Sequence, residues 1–349
     1  MVMTIVEAAR AITGGVDTHL DVHVAAALDG VGALLGTEAF PTTPAGYQAL
    51  LSWLESHGEV TKVGVEGTGS YGAGLSKFLT RAGISVVDVN RPNREERRRS
   101  GKSDPLDAIE AARSALSGKA KSIAKSKDGA VEAIRTLVVA KRSARVARTA
   151  ALTQMRHLIV SAPDQLRSRL HGLNVHHLTT EAARLRPSRH GEPVLAATKA
   201  ALSSLAHRVQ GLDDELAELD RRLEALLEDL CPDLLGLFGV GPDTAAALVV
   251  CAGDNPERLR SEPSWARLCG VAPIPTGSGQ TSGRVRFNPA GDRQANAALW
   301  RIVMVRIAHD PETTEYFLRK VKEGRSKPEI IRLLKRYVAR EVYRHLPRR

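Results

Sequence analysis

Short runs of alternating apolar and polar residues, separated by stretches with helical spacing, fill roughly the first third of the chain. ITGGVD followed by VHVAAAL predicts a hairpin of two strands, and KVGVE and ISVVDVN predict two more strands. Helical spacing over 44–57 and 72–82, and a helix beginning near Asp104, come between and after them. This alternation predicts an α/β region, a mixed sheet covered by helices.

From residue 128 onward the apolar spacing is helical. A long helix rich in Ala, Arg and Leu is predicted over 128–160, followed over 163–193 by a less regular region that includes a turn. The next apolar residues repeat at spacings of four and three, as in a heptad seam: Leu205, Val209, Leu212, Leu216, Leu219, Leu223, Leu226 and Leu230. The seam predicts a long helical, coiled-coil hairpin that ends at Pro232. It could pack within one chain or between two chains.

Two glycines, Gly239 and Gly241, lie in a tight turn before an Ala-rich helix in LFGVGPDTAAALVV. This pattern is similar to the helix-hairpin-helix motif, in which turn amides contact a phosphate at a helix N-terminus. An ordinary packing corner between two helices would need the same glycines. The sequence therefore predicts a small helical C-terminal domain with a helix-hairpin-helix-like motif.

The length of 349 residues allows two or three domains, and we predict boundaries at 1–125, 126–231 and 232–349. No apolar run approaches the roughly 18 residues of a membrane span, and the N-terminus lacks a secretory signal pattern. The three cysteines have no zinc spacing, which favours reduced thiols in a cytoplasmic protein.

The formal net charge of +11 is concentrated in basic runs, including RPNREERRRSGK over 91–102 and an acid-free stretch between Glu132 and Asp164. A solvated helix face would explain any one run, but several runs favour a polyanionic partner. The candidate nucleic-acid-binding residues are Arg94, Arg97, Arg98, Lys102, Arg142, Arg145, Arg148, Gly239, Gly241, Arg284, Arg286 and Arg293.

Four carboxylates are the candidate metal ligands and catalytic residues: Asp17, Glu66, Asp104 and Asp107. Each follows a predicted strand or begins a predicted helix, and clustered carboxylates fit a hard divalent cation such as Mg²⁺. Helix capping would explain either helix aspartate alone. Asp21 competes with Asp17, and the pair His19 and His23 is interpreted as structural.

Ser278 is the candidate nucleophile, because it lies between glycines in GVAPIPTGSGQTSGRVRF, where its hydroxyl would be unshielded. Arg284, Arg286 and Arg293 follow and could neutralise a phosphate. An ordinary loop serine is the alternative interpretation, and Ser282 is a local competitor. No hydrolase triad is recognisable, so activation would come from a metal.

In order along the chain, VDTH, VEGTGSYGAGL, VVDVNRPNR, GKSDPLDA, GVAPIPTGSGQT and GDRQANAAL resemble the DEDD transposases of the insertion-sequence-110 family. Relatives of that family include site-specific DNA invertases and bridge-RNA-guided recombinases. The resemblance extends over nearly the whole chain and is weakest over 163–193. It implies an RNase H-like domain of the Holliday-junction-resolvase type, with the metal tetrad at the four carboxylates and the serine nucleophile at Ser278.

The activity that this resemblance implies is cutting and religation of DNA through a covalent phosphoserine, with Mg²⁺ or Mn²⁺ at the tetrad. It also implies a structured guide RNA and homodimers that assemble into tetramers on donor and target DNA. Two alternatives stay open from the residues alone. One is a metal-dependent junction-resolving nuclease that uses water; the other is a non-catalytic nucleic-acid-binding protein. Ser278→Ala would spare cleavage by the first, and Glu66→Gln would leave the second unaffected.

Overall fold

The computed structural model describes residues 10–89, 103–120, 122–187, 192–255, 259–275, 285–288 and 290–347. The chain divides into two compact units. The first contains Met1–Val131, Ala252–Trp265 and Arg348–Arg349, and the second contains Glu132–Cys251 and Ala266–Pro347. The division into three domains stays a prediction. Within the described ranges, no helix is long and apolar enough to cross a membrane.

A six-stranded mixed sheet forms the centre of the first unit. Its strands are β1 (Ala11–Thr18), β2 (Val22–Leu28), β3 (Leu34–Pro41), β4 (Glu59–Glu66), β5 (Ser85–Val89) and β6 (Ser122–Ile123). They lie in the order β3-β2-β1-β4-β5-β6; β4 runs parallel to both β1 and β5, and the other neighbours are antiparallel. The predicted hairpin and the next two strands are confirmed, and β3 and β6 are additional. The mixed sheet is consistent with an RNase H-like domain.

The three predicted helices of this unit are confirmed as α1 (Pro44–Ser56), α2 (Ala73–Arg81) and α3 (Asp104–Leu116). Thr43 caps α1 by accepting a hydrogen bond from the Gly46 amide at 3.1 Å. The leucines of α1 and α2 are four residues apart, so they share one face of each helix. They pack against β1 and β4 in one apolar core, which includes Leu50, Leu54, Leu75, Leu79, Ile12, Val16, Val63 and Val65.

Helices make up most of the remaining chain. They are α4 (Ala130–Val160), α5 (Asp164–Leu170), α6 (Val175–Ala183), α7 (Pro193–Leu230), α8 (Pro232–Leu235), α9 (Pro242–Ala252), α10 (Glu262–Leu268), α11 (Arg293–His309), α12 (Pro311–Lys322) and α13 (Lys327–His345). A two-stranded antiparallel sheet pairs β7 (Pro273–Pro275) with β8 (Val285–Phe287). The three cysteines are buried and form no disulfide within the described residues, and burial raises the pKa of Cys231 to about 11.

The region over 163–193, predicted to be less regular, contains the two short helices α5 and α6. The prediction underestimated this order because it treated proline as a breaker. Pro163 instead occupies the N-cap position of α5 and Pro193 begins α7, positions where a missing amide hydrogen costs little. Both short helices contribute to a core with α4 and α7, through Met155, Leu166, Leu170, Leu178, Leu202 and Val209 among others.

The predicted seam lies on α7, where Val209 and Leu223 are buried and the other six seam residues are partly exposed. Ion pairs join α7 to α4, Arg148 with Asp213 and Lys141 with Asp220. Along these pairs the residue number rises on α4 while it falls on α7, so the two helices are antiparallel within one chain. A coiled coil between two chains stays a prediction.

Candidate active site at the ends of β1 and β4

Two of the four predicted carboxylates are at the ends of neighbouring parallel strands. Asp17 is the second-last residue of β1, and Glu66 is the last residue of β4. The strand register pairs Val16 with Val65, which places Asp17 and Glu66 at the same level of the sheet. The Thr18 hydroxyl donates a hydrogen bond to the Glu66 carbonyl at 2.8 Å and fixes the two strand ends together.

The alternation of side chains along a strand brings α3 to the same face of the sheet as these residues. A Cβ atom at Gly15 would lie 2.1 Å from the Ala112 amide nitrogen, and one at Gly64 would lie 2.6 Å from the Ala111 carbonyl oxygen. Glycine is therefore required at both positions for α3 to pack on the sheet. Asp17 and Glu66 are each two residues further along, so they are on the face that α3 covers.

The other two carboxylates are in the first turn of α3. Ser103 occupies the N-cap position and Asp104 is the first helical residue, so capping does not explain Asp104. Asp107 lies one turn later and is buried. Acidic groups at a helix N-terminus are favoured by the helix dipole, which helps hold two carboxylates near a third.

His19 joins this group, although it was interpreted as structural from the sequence. Its Nε2 atom is 3.1 Å from Oδ2 of Asp17 and 3.4 Å from Oδ1 of Asp104. One ligand atom from each of the three residues lies within 4.8 Å of the others. The sequence signal was its position two residues after Asp17, just beyond the strand end, where a side chain can turn back to the site.

The surroundings of Asp17 disfavour its ionised form. Burial raises its pKa, and His19 opposes this shift through its charge and its hydrogen bond. The charges of Asp107 and Asp104 raise the pKa of Asp17 further. Asp17 is only 6% exposed, so water screens these effects weakly. A cation at this position would lower the repulsion.

The local competitors of these residues lie elsewhere. Asp21 is exposed, and its carbonyl accepts a hydrogen bond from the Thr42 amide at 3.0 Å. His23 is fully buried and stacks on Tyr47 with ring centroids 5.7 Å apart. Neither ring nitrogen of His23 has a hydrogen-bond partner within the described part of the chain, and burial lowers its pKa. His23 is therefore a core residue, whereas His19 belongs to the site.

The donor set fits a divalent cation. Carboxylate oxygens suit Mg²⁺, which prefers hard ligands and keeps several waters. An imidazole nitrogen in the same group suits Mn²⁺ better than Mg²⁺. Asp17, Asp104 and His19 are the residues that could hold the ion most directly; Glu66 and Asp107 are on the same face but outside this group of three.

Several predicted site residues lie outside the described ranges, and their roles stay predictions. They are Arg94, Arg97, Arg98, Lys102, Ser278 with its competitor Ser282, and Arg284. The described strands that flank Ser278 pair Pro275 with Val285.

The described basic candidates differ in how much of their charge is available. Arg145 contacts Asp243 at 2.7 Å, and Arg148 is paired with Asp213. Arg142, Arg286 and Arg293 are exposed. Arg142 and Arg145 line a groove of about 760 Å³ in the second unit, and no ion pair of Arg142 is found among the described residues.

The predicted glycine turn joins the short helix α8 to α9. Gly239 has a φ of 80°, which favours glycine, and a Cβ atom at Gly241 would meet nothing within 4 Å. The Gly241 amide donates to the Thr244 hydroxyl oxygen at 3.0 Å. Phosphate contact by a helix-hairpin-helix motif at this turn stays a prediction.

Comparison with known proteins gives matches in both halves of the chain. Residues 14–162 match a family model of DEDD transposases of IS110, and residues 231–318 match the model of the transposase IS116/IS110/IS902 family. Together the two ranges cover more than half of the chain.

Two curated relatives come from insertion elements. The chain is 28% identical over 144 residues to the IS900 uncharacterized 42 kDa protein of Mycobacterium paratuberculosis, which is 41% of this chain and 36% of the relative. It is 30% identical over 138 residues to the IS110 uncharacterized 43.6 kDa protein of Streptomyces coelicolor, 38% of this chain and 33% of the relative. The matches therefore span about a third of each relative's length.

Proposed function

The chain belongs to the IS110 family of transposases, and on that premise we propose that it cuts and rejoins DNA during transposition of an insertion sequence. The observation that supports this most is the acidic site, where Asp17 and Asp104 approach His19 within 4.8 Å beside Glu66 and Asp107. Asp17, Asp104 and His19 bring three metal-ligating atoms together, and carboxylate oxygens are the donors that a hard divalent cation prefers, so the arrangement is suited to cation binding.

Asp17, Glu66, Asp104 and Asp107 would hold Mg²⁺ or Mn²⁺, with His19 as a fifth candidate ligand. Such an ion would polarise the phosphodiester and stabilise the charge on the leaving oxygen. The protein supplies the rest of the geometry. The strand ends fix Asp17 and Glu66, and the close packing of α3 on Gly15 and Gly64 fixes the other two carboxylates.

Ser278 would act as the nucleophile. Its Oγ forms a bond to phosphorus as it loses its proton, and the bond from phosphorus to one deoxyribose oxygen breaks and leaves a hydroxyl. In the second step, a hydroxyl of the partner strand attacks the phosphoserine, and the serine leaves and regains a proton. The phosphodiester count is unchanged, so no external energy source is needed.

The partners in this proposal are double-stranded donor and target DNA, with a structured guide RNA encoded by the element. Base pairing with the guide would then select the sequence, while the protein contacts the nucleic-acid backbone and recognises the shape of the duplex. The active assembly would be a homodimer that forms a tetramer, in the cytoplasm. The basic residues Arg142, Arg286 and Arg293 are the described candidates for backbone contacts.

The carboxylate site also suits a second function, metal-dependent cleavage of DNA junctions by water. This alternative is favoured by one fact: the acidic cluster needs no serine to activate water. It predicts nicked products without a covalent intermediate.

The test is to trap the covalent intermediate. The protein is incubated with its own flanking DNA and Mg²⁺, denatured, and examined for DNA that migrates with protein until protease is added. We expect an adduct with the natural sequence and none with Ser278→Ala or Glu66→Gln, whereas Ser282→Ala and Asp21→Asn retain it. Cleavage without an adduct that persists in Ser278→Ala would establish the nuclease instead.

A further inference from the structure

A second cleft, in the second unit, is lined by cations and an aromatic ring. It has a volume of about 490 Å³ and lies between α11, α13 and the segments around Gly270 and Gly291. Its charged lining residues are Arg293, Arg332 and Lys335, and no Asp or Glu is among the described residues that line it. A concave site with only positive charge is suited to an anion.

Lys335 is the cleft residue whose charge a bound anion would stabilise most. Its side chain is nine-tenths buried, and its described hydrogen bond goes from Nζ to Oδ1 of Asn296 at 2.6 Å. Oδ1 is neutral, and an ammonium group has two further donors. Burial and the charge of Arg332 lower the Lys335 pKa, and the contact of Lys335 in the described part of the chain is the neutral Asn296 rather than a carboxylate. A buried ammonium in this state is stabilised by an external negative group.

The neighbours of Lys335 are fixed in place. Nδ2 of Asn296 donates to the carbonyls of Cys269 at 2.9 Å and Gly270 at 3.2 Å, so Oδ1 must face Lys335. A Cβ atom at Gly291 would lie 2.2 Å from the Gly270 Cα. The two loops therefore touch backbone to backbone and form one wall of the cleft. Such a preorganised wall is typical of a binding site.

Trp300 provides an apolar surface next to these charges. It is 47% exposed, whereas Trp265 is fully buried. Arg293, Asn296 and Trp300 are three and four residues apart, which places them along one side of α11. Arg332 and Lys335 are three apart on α13 and complete the opposite side. An exposed indole beside several cations matches the way proteins bind unpaired nucleotides.

We propose that this cleft binds one unpaired nucleotide of a nucleic-acid strand, with its phosphate at Lys335 and Arg332 and its base stacked on Trp300. A base pair within a duplex would keep its faces covered by neighbouring bases, so the strand must be open at this point. The inference deepens the proposed function and rests on it for the presence of opened strands. It assigns the second unit a strand-holding site built from residues other than the carboxylates.

The test measures binding of labelled single-stranded oligonucleotides of about 12 residues to the full-length protein, by anisotropy and by quenching of tryptophan fluorescence. We expect Trp300→Ala and Arg332→Gln to weaken binding about tenfold. Arg340→Gln removes the same charge from an exposed position of α13 outside the cleft and should change affinity by less than about twofold. Trp300→Phe should keep most of the affinity but lose the quenching.

Equal binding by Trp300→Ala, Arg332→Gln and Arg340→Gln would overturn the proposal. So would quenching that persists in Trp300→Phe, because the signal would then come from another tryptophan. Single-stranded DNA and RNA of the same sequence serve as the two probes, and failure of both to bind would also overturn the proposal. The binding assay needs neither Mg²⁺ nor cleavage, so a failed adduct experiment and a failed binding experiment are distinguishable.

Discussion

The carboxylate site and the cationic cleft are opposites in charge but alike in energetics. Asp17 is buried beside Asp104 and Asp107, and Lys335 is buried beside Arg332, so in each case a like charge adds to the effect of burial on the pKa. Among the described residues, the Asp17 side chain is hydrogen-bonded to His19 and the Lys335 side chain to Asn296. In both sites the compensating charge would come from a ligand, a cation in one and a phosphate in the other.

Lys141 shows what a buried charge looks like when the protein compensates it internally. Its ammonium is paired with Asp220 and contacts Asp243 at 2.5 Å, which joins α4 to α7 and α9. Two carboxylates stabilise this cation in the folded chain. Lys141 is therefore a buried charge that stabilises the fold, whereas Asp17 and Lys335 are buried charges suited to binding a ligand.

The largest effect should follow from removing one charge of the acidic site. Asp104→Asn keeps the size of the side chain but removes a ligand, so we expect DNA cleavage to fall about a thousandfold, as for loss of metal-based charge stabilisation. Gel assays of strand cleavage with Mg²⁺ would measure it. Asp21→Asn, at an exposed position outside the cluster, serves as the matched control. Equal loss in both variants would contradict the assignment.

Gly15→Ala would disrupt the carboxylate site without replacing any of its carboxylates. The new Cβ atom would lie 2.1 Å from the Ala112 nitrogen and 2.2 Å from the Ala108 oxygen, so α3 must move away from β1. We expect a loss of about 2–3 kcal/mol in the free energy of unfolding, measured by denaturant titration, together with weaker cleavage. Gly30→Ala is the control, because nothing lies within 4 Å of its Cβ position. Unchanged stability of Gly15→Ala would show that the sheet and α3 are not tightly packed.

How far the sequence predicted this site depends on which interactions are local. Strand ends and helix starts follow from short patterns, so Asp17, Glu66, Asp104 and Asp107 were placed correctly on their elements. His19 was missed because its role depends on a contact with Asp104, eighty-five positions away in the chain. The cleft around Lys335 was missed for the same reason. Its cations come from α11 and α13, and a buried lysine in an amphipathic helix has no signal in the local pattern.

A third prediction concerns stability and metal. The folded state raises the pKa of Asp17, so the native protein binds this proton more tightly than the unfolded chain does. The ionised group therefore costs stability as the pH rises above the unfolded pKa. Without metal at pH 7, Asp17→Asn should raise the free energy of unfolding by about 1 kcal/mol, or the melting temperature by about 2–4 °C. Adding Mg²⁺ or Mn²⁺ should stabilise the natural protein and have little effect on this variant. A lower melting temperature for Asp17→Asn in chelator would contradict the sign.

The smallest expected effect is on DNA binding. It distinguishes basic residues of α4 that are exposed from those paired with a carboxylate of the same chain. Arg142 is exposed, whereas Arg148 is paired with Asp213. If Arg142 contacts a phosphate, Arg142→Gln should weaken DNA binding about threefold and lower the slope of log affinity against log salt by about one. Arg148→Gln should leave that slope unchanged and cost less than about 1 kcal/mol of stability, because the pair is partly exposed. Anisotropy titrations at several salt concentrations would measure both. A slope that falls equally in the two variants would mean that the ion pair with Asp213 opens when DNA binds, and that internal pairing does not predict which cations reach the phosphates.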